Sequence, residues 1–264
     1  MRLRGELCIG TATFLSFVAV LLIIFAHVGQ INTSSVPRGL SMINVNMSRY
    51  GDALASATGD PVDGLYANSS TNATVPLAQG AGLRQMYRFG LYSYCAYIEG
   101  GEGACSNTTA GHELQPYDAV LADMPTRFPS LTRAFVPDTF TFTNSHYLGE
   151  FSKAAYYLLL LGSIFAGLAM ITGIPKRTWT YSLSTLFAIF GTGLLFIGVV
   201  IWTVLVNKTK SINNAILTNS ASGETTPLGI TVDGGSSLWL FWASFVCLFL
   251  SVIPYLISCC TYRG

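Results

Sequence analysis

Charged side chains are scarce in this sequence, because Asp, Glu, Lys and Arg together make up only 10% of its 264 residues. Four long stretches contain none of these four residue types. Soluble globular proteins carry about 25% charged residues. The composition therefore predicts that lipid, rather than water, surrounds much of the chain.

The sequence also lacks the short motifs of common catalytic sites. It contains no Gly-x-Ser-x-Gly, no His-x-x-x-His and no phosphate-cradling glycine loop, and no charged residue lies in the middle of an apolar stretch. Two of its three histidines, His112 and His146, are far apart, which disfavours a metal cluster. The third, His27, ends the first apolar stretch, where we expect a structural role. We expect no enzymatic activity, no cofactor, no metal and no nucleic-acid partner.

Each uncharged stretch is long enough to cross a bilayer, because a hydrocarbon core of about 30 Å needs roughly 20 helical residues. We predict transmembrane helices at 7–28, 154–174, 179–206 and 237–259. A cleaved signal peptide is the alternative for the first helix. Its apolar run continues to Phe25 without a small-x-small exit, which favours a retained helix. The predicted segments between and beyond the helices are 1–6, 29–153, 175–178, 207–236 and 260–264.

The basic residues near the helix ends predict that both termini are cytoplasmic. Positive side chains concentrate in cytoplasmic flanks and short loops, and here they are Arg2, Arg4, Lys176, Arg177 and Arg263. Segments 29–153 and 207–236 are then large and small outer loops.

N-glycosylation sequons agree with this orientation. All six lie on the side assigned as external, at Asn32, Asn46, Asn68, Asn72, Asn107 and Asn207. The first and last are close to the membrane, where the transferase reaches poorly. We therefore expect sugar at Asn46, Asn68, Asn72 and Asn107.

The large outer loop changes character near residue 83. Its first third is rich in Ser, Asn, Thr, Gly and Ala, and we expect loosely ordered, sugar-bearing surface there. Bulky residues over 89–98 predict a strand, and the glycines of 99–103 predict a reversal of the chain. Residues 104–106 are then expected to run back along that strand. Alternation over 139–143 predicts another strand.

Two pairs of cysteines carry separate predictions. Cys95 and Cys105 are the only cysteines on the predicted external side, which is oxidising, so we predict that they form a disulfide across the reversal. Closing so short a loop stabilises a fold by at most roughly 3 kcal/mol. Cys259 and Cys260 lie at the inner end of the fourth helix, where cysteines are often palmitoylated. The alternative for them is a role as plain small residues.

Small side chains at four-residue spacing mark the second and third helices. This spacing lets helix backbones approach closely in lipid. We expect packing within the bundle, or alternatively a contact between neighbouring copies, at Gly162, Ala166, Ser184, Ala188 and Thr192.

The segment Gly90-Leu91-Tyr92, followed by Cys95 and Cys105, resembles the claudin signature of Gly-Leu-Trp and two cysteines. Tyr92 stands in place of the claudin Trp, and the outer loop is longer. The chain also resembles the fungal Sur-seven/PalI family of cortical-patch (eisosome) tetraspans. This second resemblance is specific at 89–105, 207–213 and 238–243.

These resemblances imply an all-α transmembrane four-helix bundle, claudin-like and left-handed, with a small extracellular antiparallel β-sheet pinned by one disulfide. Gly90, Leu91 and Tyr92 would shape that sheet, with Tyr92 playing the part of the claudin Trp. The implied function is a non-enzymatic organiser of plasma-membrane cortical patches, affecting cell-wall integrity, endocytosis and stress response. Its expected partners are a sterol- or sphingolipid-rich bilayer, further copies of itself, and cell-wall or cortical proteins.

Two alternative functions remain open. One is a claudin-like regulator of calcium influx or cell fusion during mating. The other is an auxiliary membrane component of ambient-pH sensing, for which relatives use a longer cytoplasmic tail. Few residues follow Cys260, so we expect no tail-mediated signalling.

Overall fold

A computed structural model describes residues 2–175, 178–218, 223 and 225–261. The α-helices within them are α1 (Arg2–His27), α2 (Ser35–Gly39), α3 (Tyr50–Thr58), α4 (Ser70–Ala73), α5 (Pro116–Asp123), α6 (Pro129–Phe135), α7 (Ser145–Gly173), α8 (Thr178–Thr209) and α9 (Ser236–Thr261). The strands are β1 (Ile43–Asn46), β2 (Met86–Phe89), β3 (Tyr94–Tyr97), β4 (Gly103–Cys105), β5 (Ile216–Thr218), β6 (Thr225–Pro227) and β7 (Thr231–Gly234). Short 3₁₀ helices cover Thr141–Thr143 and Lys210–Asn214.

The chain divides into two compact units. The helical unit comprises Met1–His27, Ala154–Ile201 and Ser237–Gly264. The sheet unit comprises Val28–Lys153 and Trp202–Ser236. All six sequon asparagines belong to the sheet unit.

Helices α1, α7, α8 and α9 are each long and apolar enough to cross a membrane. Large apolar side chains remain exposed along them, including Phe14 at 63%, Ile171 at 59% and Phe190 at 52%. Exposed apolar rows of this size are unfavourable in water but match the acyl chains of a bilayer. The protein is therefore a multi-pass membrane protein, and the prediction of four spanning helices is confirmed.

Buried positions in the helical unit recur at alternating intervals of three and four residues. They are Ala12, Ser16, Ala19, Ile23 and Ala26 on α1; Ala155, Leu159, Gly162, Ala166 and Ala169 on α7; Tyr181, Ser184, Ala188, Gly191 and Leu195 on α8; and Phe241, Ser244, Leu248, Ser251 and Tyr255 on α9. This heptad period winds helices around one another with a left-handed supercoil. Small residues dominate three of the four stripes, so the backbones can approach closely.

All four spanning helices extend beyond the predicted membrane segments at one end or at both. Helix α7 begins at Ser145, upstream of the predicted start at 154, and α8 continues to Thr209, past the predicted end at 206. Hydropathy identifies the part of a helix that is compatible with lipid. It does not identify the helix ends, because polar residues continue the same backbone hydrogen bonding into water.

The main sheet is antiparallel, with the strand order β4-β3-β2-β1-β7. Strand β1 pairs on one side with β2 and on the other with β7, which comes from the second loop. Ile43 and Val45 are fully buried, whereas the two intervening asparagines are half-buried. The alternating side chains of β1 therefore fix which of its faces meets the core. Strands β5 and β6 form a separate two-stranded sheet.

The prediction of one strand over 89–98 is wrong. The chain reverses after Phe89, where the Gly90 amide donates to the Ser93 carbonyl at 2.9 Å, so β2 and β3 form a hairpin. Bulky residues occur on both faces because β3 is buried on both sides. The reversal at 99–103 is confirmed, since β3 and β4 pair across it.

Two further predictions for the large loop are wrong, one of loose order and one of a strand. The first third of the large loop contains β1 and helix α3, although we expected loose order there. Strand β1 is stabilised by partners distant in sequence, which no local pattern reveals. The 139–143 segment contains a 3₁₀ helix rather than a strand, and the Thr143 hydroxyl donates to the Phe140 carbonyl at 2.8 Å. Its Phe142 ring is fully buried, in edge contact with Tyr117.

Candidate functional site

The Gly90-Leu91-Tyr92 motif forms the turn between β2 and β3. A Cβ atom at Gly90 would collide with the Gly29 carbonyl oxygen and lie 3.1 Å from the Gln30 Cβ. Leu91 is 1% exposed, whereas Tyr92 is half-buried. Glycine is required at position 90 because the backbone at residues 29 and 30 lies directly against the turn.

Gln30 is a hydrogen-bonding centre beside this turn. Its side-chain Nε2 lies 2.9, 2.9 and 2.7 Å from the carbonyl oxygens of Pro37, Arg38 and Leu40. Its Oε1 accepts from the Tyr97 hydroxyl at 3.1 Å, and its backbone carbonyl accepts from the Ser93 hydroxyl at 2.5 Å. Gln30 is fully buried and has a φ of 58°, which is uncommon for a residue other than glycine. These bonds hold an unfavourable backbone conformation in place.

The predicted disulfide is confirmed. Cys95 and Cys105 are directly opposite each other on β3 and β4, and their sulfur atoms are bonded. The pairing continues beyond the bond, because the Ser106 amide donates to the Tyr94 carbonyl at 2.8 Å. The disulfide thus fixes the register of β4, the edge strand of the sheet.

A buried charged cluster lies on the face of β2 that points away from the disulfide. The Asp123 Oδ2 atom lies 2.9 Å from Arg84 Nη1 and accepts from the Tyr87 hydroxyl at 2.8 Å, and all three side chains are fully buried. Asp123 Oδ1 accepts from the Ala78 amide at 2.7 Å, and Arg84 Nη2 donates to the Val75 carbonyl at 2.6 Å. The cluster therefore ties the 72–78 segment and helix α5 to the sheet.

Burial changes the acidity of several rings around the sheet. It raises the pKa of Tyr87 well above its ordinary value, and the neighbouring Asp123 charge raises it further. Burial also raises the pKa of Tyr94 to about 12, and this ring stacks on Phe89 at 5.1 Å. The pKa of His112, whose ring lies 5.6 Å from that of Tyr94, is lowered by burial. Desolvation thus favours the neutral form of each of these groups.

This chain combines four long apolar helices with a Gly-Leu-Tyr turn and a disulfide-closed sheet. A family model described as the SUR7/PalI family matches residues 8–254. The chain belongs to the SUR7/PalI family. The predicted resemblance to the SUR7/PalI family is therefore confirmed. A comparison with curated proteins found no match.

The predicted glycosylation sites of this SUR7/PalI protein differ in accessibility. Asn68, Asn72 and Asn107 are exposed, whereas Asn46 is half-buried at the end of β1. The Asn46 Oδ1 atom accepts from the Ser48 amide at 2.9 Å. Modification at these four asparagines remains a prediction.

Of the small residues predicted for helix packing, Gly162 and Ser184 lie between α7 and α8 of this SUR7/PalI chain. A Cβ atom at Gly162 would lie 2.9 Å from Leu195 Cγ, and the Ser184 hydroxyl donates to the Ala169 carbonyl at 2.6 Å. Ala166 and Ala188 are fully buried, and the Thr192 hydroxyl donates to the Ala188 carbonyl at 2.6 Å. Gly162 and Ser184 thus bring two helices of one bundle together. The side chains of Cys259 and Cys260 lie outside the described residues, so their lipidation stays a prediction.

Several residues that organise this SUR7/PalI fold escaped the sequence interpretation. Gln30, Ser93, Arg84 and Asp123 stand in no recognised motif, and their partners are distant in sequence. A buried charged pair of this kind is visible only after folding has brought its partners together. Among the described side chains, no group of three or more His, Cys, Asp or Glu is placed to hold a metal ion.

His27 connects three helices of the helical unit. Its Nε2 atom lies 3.0 Å from the Ser163 hydroxyl on α7, and its ring makes an edge contact with Phe241 on α9 at 5.4 Å. Its position on α1 thus joins that helix to two others.

Proposed function

We propose that this protein is a non-enzymatic organiser of plasma-membrane domains, of the cortical-patch (eisosome) type, that affects cell-wall integrity, endocytosis and stress response. The observation that carries the proposal is membership of the SUR7/PalI family over residues 8–254. The architecture supports it, because a spanning bundle with exposed apolar rows provides a large surface for lipid and for other membrane proteins.

The sheet unit is proposed to face the outside of the cell and both termini the cytoplasm. This orientation is supported by the location of all six sequons in the sheet unit. Treatment with a glycosidase that removes N-linked sugar should increase the electrophoretic mobility of the full-length protein. The exposed sites Asn68, Asn72 and Asn107, changed singly to Gln, should each remove one step of that shift. If glycosidase treatment changes the mobility of neither the wild-type protein nor any variant, the orientation is contradicted.

Lateral association within patches is proposed to use residues other than the small ones between α7 and α8. Those small residues already pack inside a single bundle, which supports this assignment. Palmitoylation of Cys259 and Cys260 is proposed to favour sterol- or sphingolipid-rich membrane. Acyl exchange on the wild-type protein should label it, and a variant with both cysteines changed to Ser should lose the label and diffuse faster.

The test of the organiser function is live-cell imaging of a fluorescently tagged copy beside a cortical-patch marker. Immobile patches that overlap the marker are the expected result. Diffuse signal that gathers at growing or fusing tips would instead favour the calcium-influx or cell-fusion alternative.

The same assay tests whether the disulfide-closed sheet is needed. Cys95→Ser should retain the protein in the endoplasmic reticulum or abolish clustering, because the register of β4 is no longer fixed. Cys247→Ser is the matched control, since that half-buried cysteine is unpaired and lies on α9. Normal clustering of the Cys95→Ser variant would contradict a role of the sheet in patch formation.

A further inference from the structure

Strand β7 is one edge of the five-stranded sheet, because no further described strand pairs beyond it. Its partner on the inner side is β1, and the Gly235 amide, just past β7, donates to the Met42 carbonyl at 2.9 Å. In antiparallel strands, residues that bond to the partner alternate with residues whose backbone groups point away. The amide and carbonyl of Val232 therefore point outward, where an edge can pair with a strand of another chain.

The side chain of Asn213 occupies both of these outward groups. Its Oδ1 atom accepts from the Val232 amide at 2.7 Å, and its Nδ2 atom donates to the Val232 carbonyl at 3.1 Å. A carboxamide carries the same kinds of donor and acceptor as a peptide group. Asn213 therefore makes the two bonds that one residue of a further antiparallel strand would make. Because it is a side chain, it offers no second row of backbone groups, and the hydrogen-bond ladder ends there.

A short 3₁₀ helix holds Asn213 in this position. The helix covers Lys210–Asn214 and is anchored by Ile212, whose side chain is fully buried. Lys210 Nζ lies 3.6 Å from Asp233 Oδ1 on β7, so a lysine also lies beside the edge. Lysine and other charged side chains commonly protect sheet edges from unwanted pairing. The 207–213 segment, where the resemblance to the SUR7/PalI family is specific, thus contains two residues that act on the β7 edge.

The exposure of Asn213 indicates what its two bonds contribute. The residue is exposed, so the edge that it covers lies at the surface of the sheet unit. Water can satisfy backbone groups at a surface, so hydrogen bonding alone does not require a side chain there. A bound side chain, unlike water, also excludes a competing strand from the edge.

We propose that Asn213 is an edge cap that prevents the sheet of one copy from pairing with the sheet of another. Copies that share one membrane and one orientation hold their sheets at a high effective concentration, which favours edge-to-edge pairing. The strand that an uncapped β7 would meet most often is therefore β7 of a second copy. This cap goes beyond the proposed organiser function and does not depend on it.

Removal of the cap tests the proposal in the full chain, purified in detergent micelles. N-linked sugar is removed first, because a glycan near β7 would shield the edge. Asn213→Ala loses both bonds to Val232, and Asn213→Gln keeps an amide but moves it away by one carbon. Asn214→Ala is the matched control, since this neighbour is exposed and lies in the same 3₁₀ helix.

Size-exclusion chromatography with light scattering measures the protein mass in the micelle over a range of concentrations. We expect the mass of Asn213→Ala to rise with concentration toward twice that of wild type at the same concentration. Asn214→Ala should match wild type throughout. If Asn213→Ala does not fold, Asn213→Gln is the deciding variant, because it is the milder change. A folded Asn213 variant with the mass of wild type at every concentration would overturn the proposal.

Hydrogen exchange locates the new contact. Mass spectrometry of peptides that cover residues 230–234 follows the Val232 amide, which Asn213 protects in wild type. In the uncapped variant this amide should be protected at high protein concentration and should exchange faster on dilution, whereas its protection in wild type should not depend on concentration. An increase in mass without this concentration-dependent protection would place the contact away from β7 and overturn the proposal.

Discussion

Arg84 and Asp123 form an ion pair at 2.9 Å in which both side chains are completely buried. Arg84 precedes β2 and Asp123 ends α5, so the pair joins a strand to a covering helix. Removing one partner of a buried pair leaves the other charge uncompensated, which is far more costly than the net contribution of the intact pair.

We expect Asp123→Asn to destabilise the sheet unit by about 3–5 kcal/mol, because the Arg84 guanidinium would remain buried without its counter-charge. Thermal unfolding of the purified protein in detergent measures the effect. Asp118→Asn on the same helix is the control, since that carboxylate is exposed and its loss should change stability by less than about 0.5 kcal/mol. Equal melting temperatures for the two variants would contradict the role of the pair.

Gly90→Ala should destabilise the protein by about 1–3 kcal/mol, because the new methyl group collides with the Gly29 carbonyl oxygen. Gly100→Ala is a matched control in the next turn, where a Cβ atom would meet nothing within 4 Å. The control should be neutral within about 0.5 kcal/mol. The comparison uses thermal unfolding and delivery to the cell surface. A Gly90→Ala variant as stable as wild type would show that residues 29 and 30 can move away from the turn.

Alkaline pH should unfold the sheet unit in a way that depends on Tyr94. Its folded pKa is about 12, against an ordinary value of 10, so the unfolded chain releases the proton first as pH rises. The stability contribution is complete below pH 10 and is lost between about pH 10 and 12. Tyr66, with a pKa also raised to about 12 by burial, adds to the same loss.

Circular dichroism and tyrosinate absorbance measured from pH 9 to 12.5 check this prediction. Tyr94→Phe keeps the ring that stacks on Phe89 and removes only the ionising hydroxyl. Its alkaline midpoint should therefore move to higher pH. If the variant loses stability as steeply as wild type between pH 10 and 12, ionisation of Tyr94 does not contribute to the alkaline unfolding of the sheet unit.

Two glycines on α7 should respond in opposite directions to the same substitution. In Gly167→Ala the new Cβ meets nothing within 4 Å, so the gain in helix propensity, about 0.5–1 kcal/mol, stabilises the helix or leaves it unchanged. In Gly162→Ala the Cβ lies 3.0 Å from the Leu195 backbone nitrogen, so α7 and α8 must separate. Overpacking of this kind costs about 1–3 kcal/mol. In detergent, the free energy of unfolding should be larger for Gly167→Ala than for Gly162→Ala. The reverse order would refute packing of Gly162 within the bundle.

Part of the site could be predicted from residues alone. The disulfide between Cys95 and Cys105 followed from a reversal rich in glycine and from the lack of other external cysteines. The Gly90-Leu91-Tyr92 motif was recognised, but its conformation was predicted as strand rather than turn. The motif is a turn because its neighbour is the backbone of residues 29 and 30, which no local pattern indicates.

The sequence by itself determined the four membrane helices and the disulfide. Transfer of a segment into lipid depends on the side chains of that segment, and closure of a short loop depends on residues close together in the chain. Tertiary structure alone decided the pairing of β1 with β7, the bonds of Gln30 and the Arg84–Asp123 pair. Their partners come from distant parts of the chain, so their energies arise only once folding has brought those parts together and excluded water from between them.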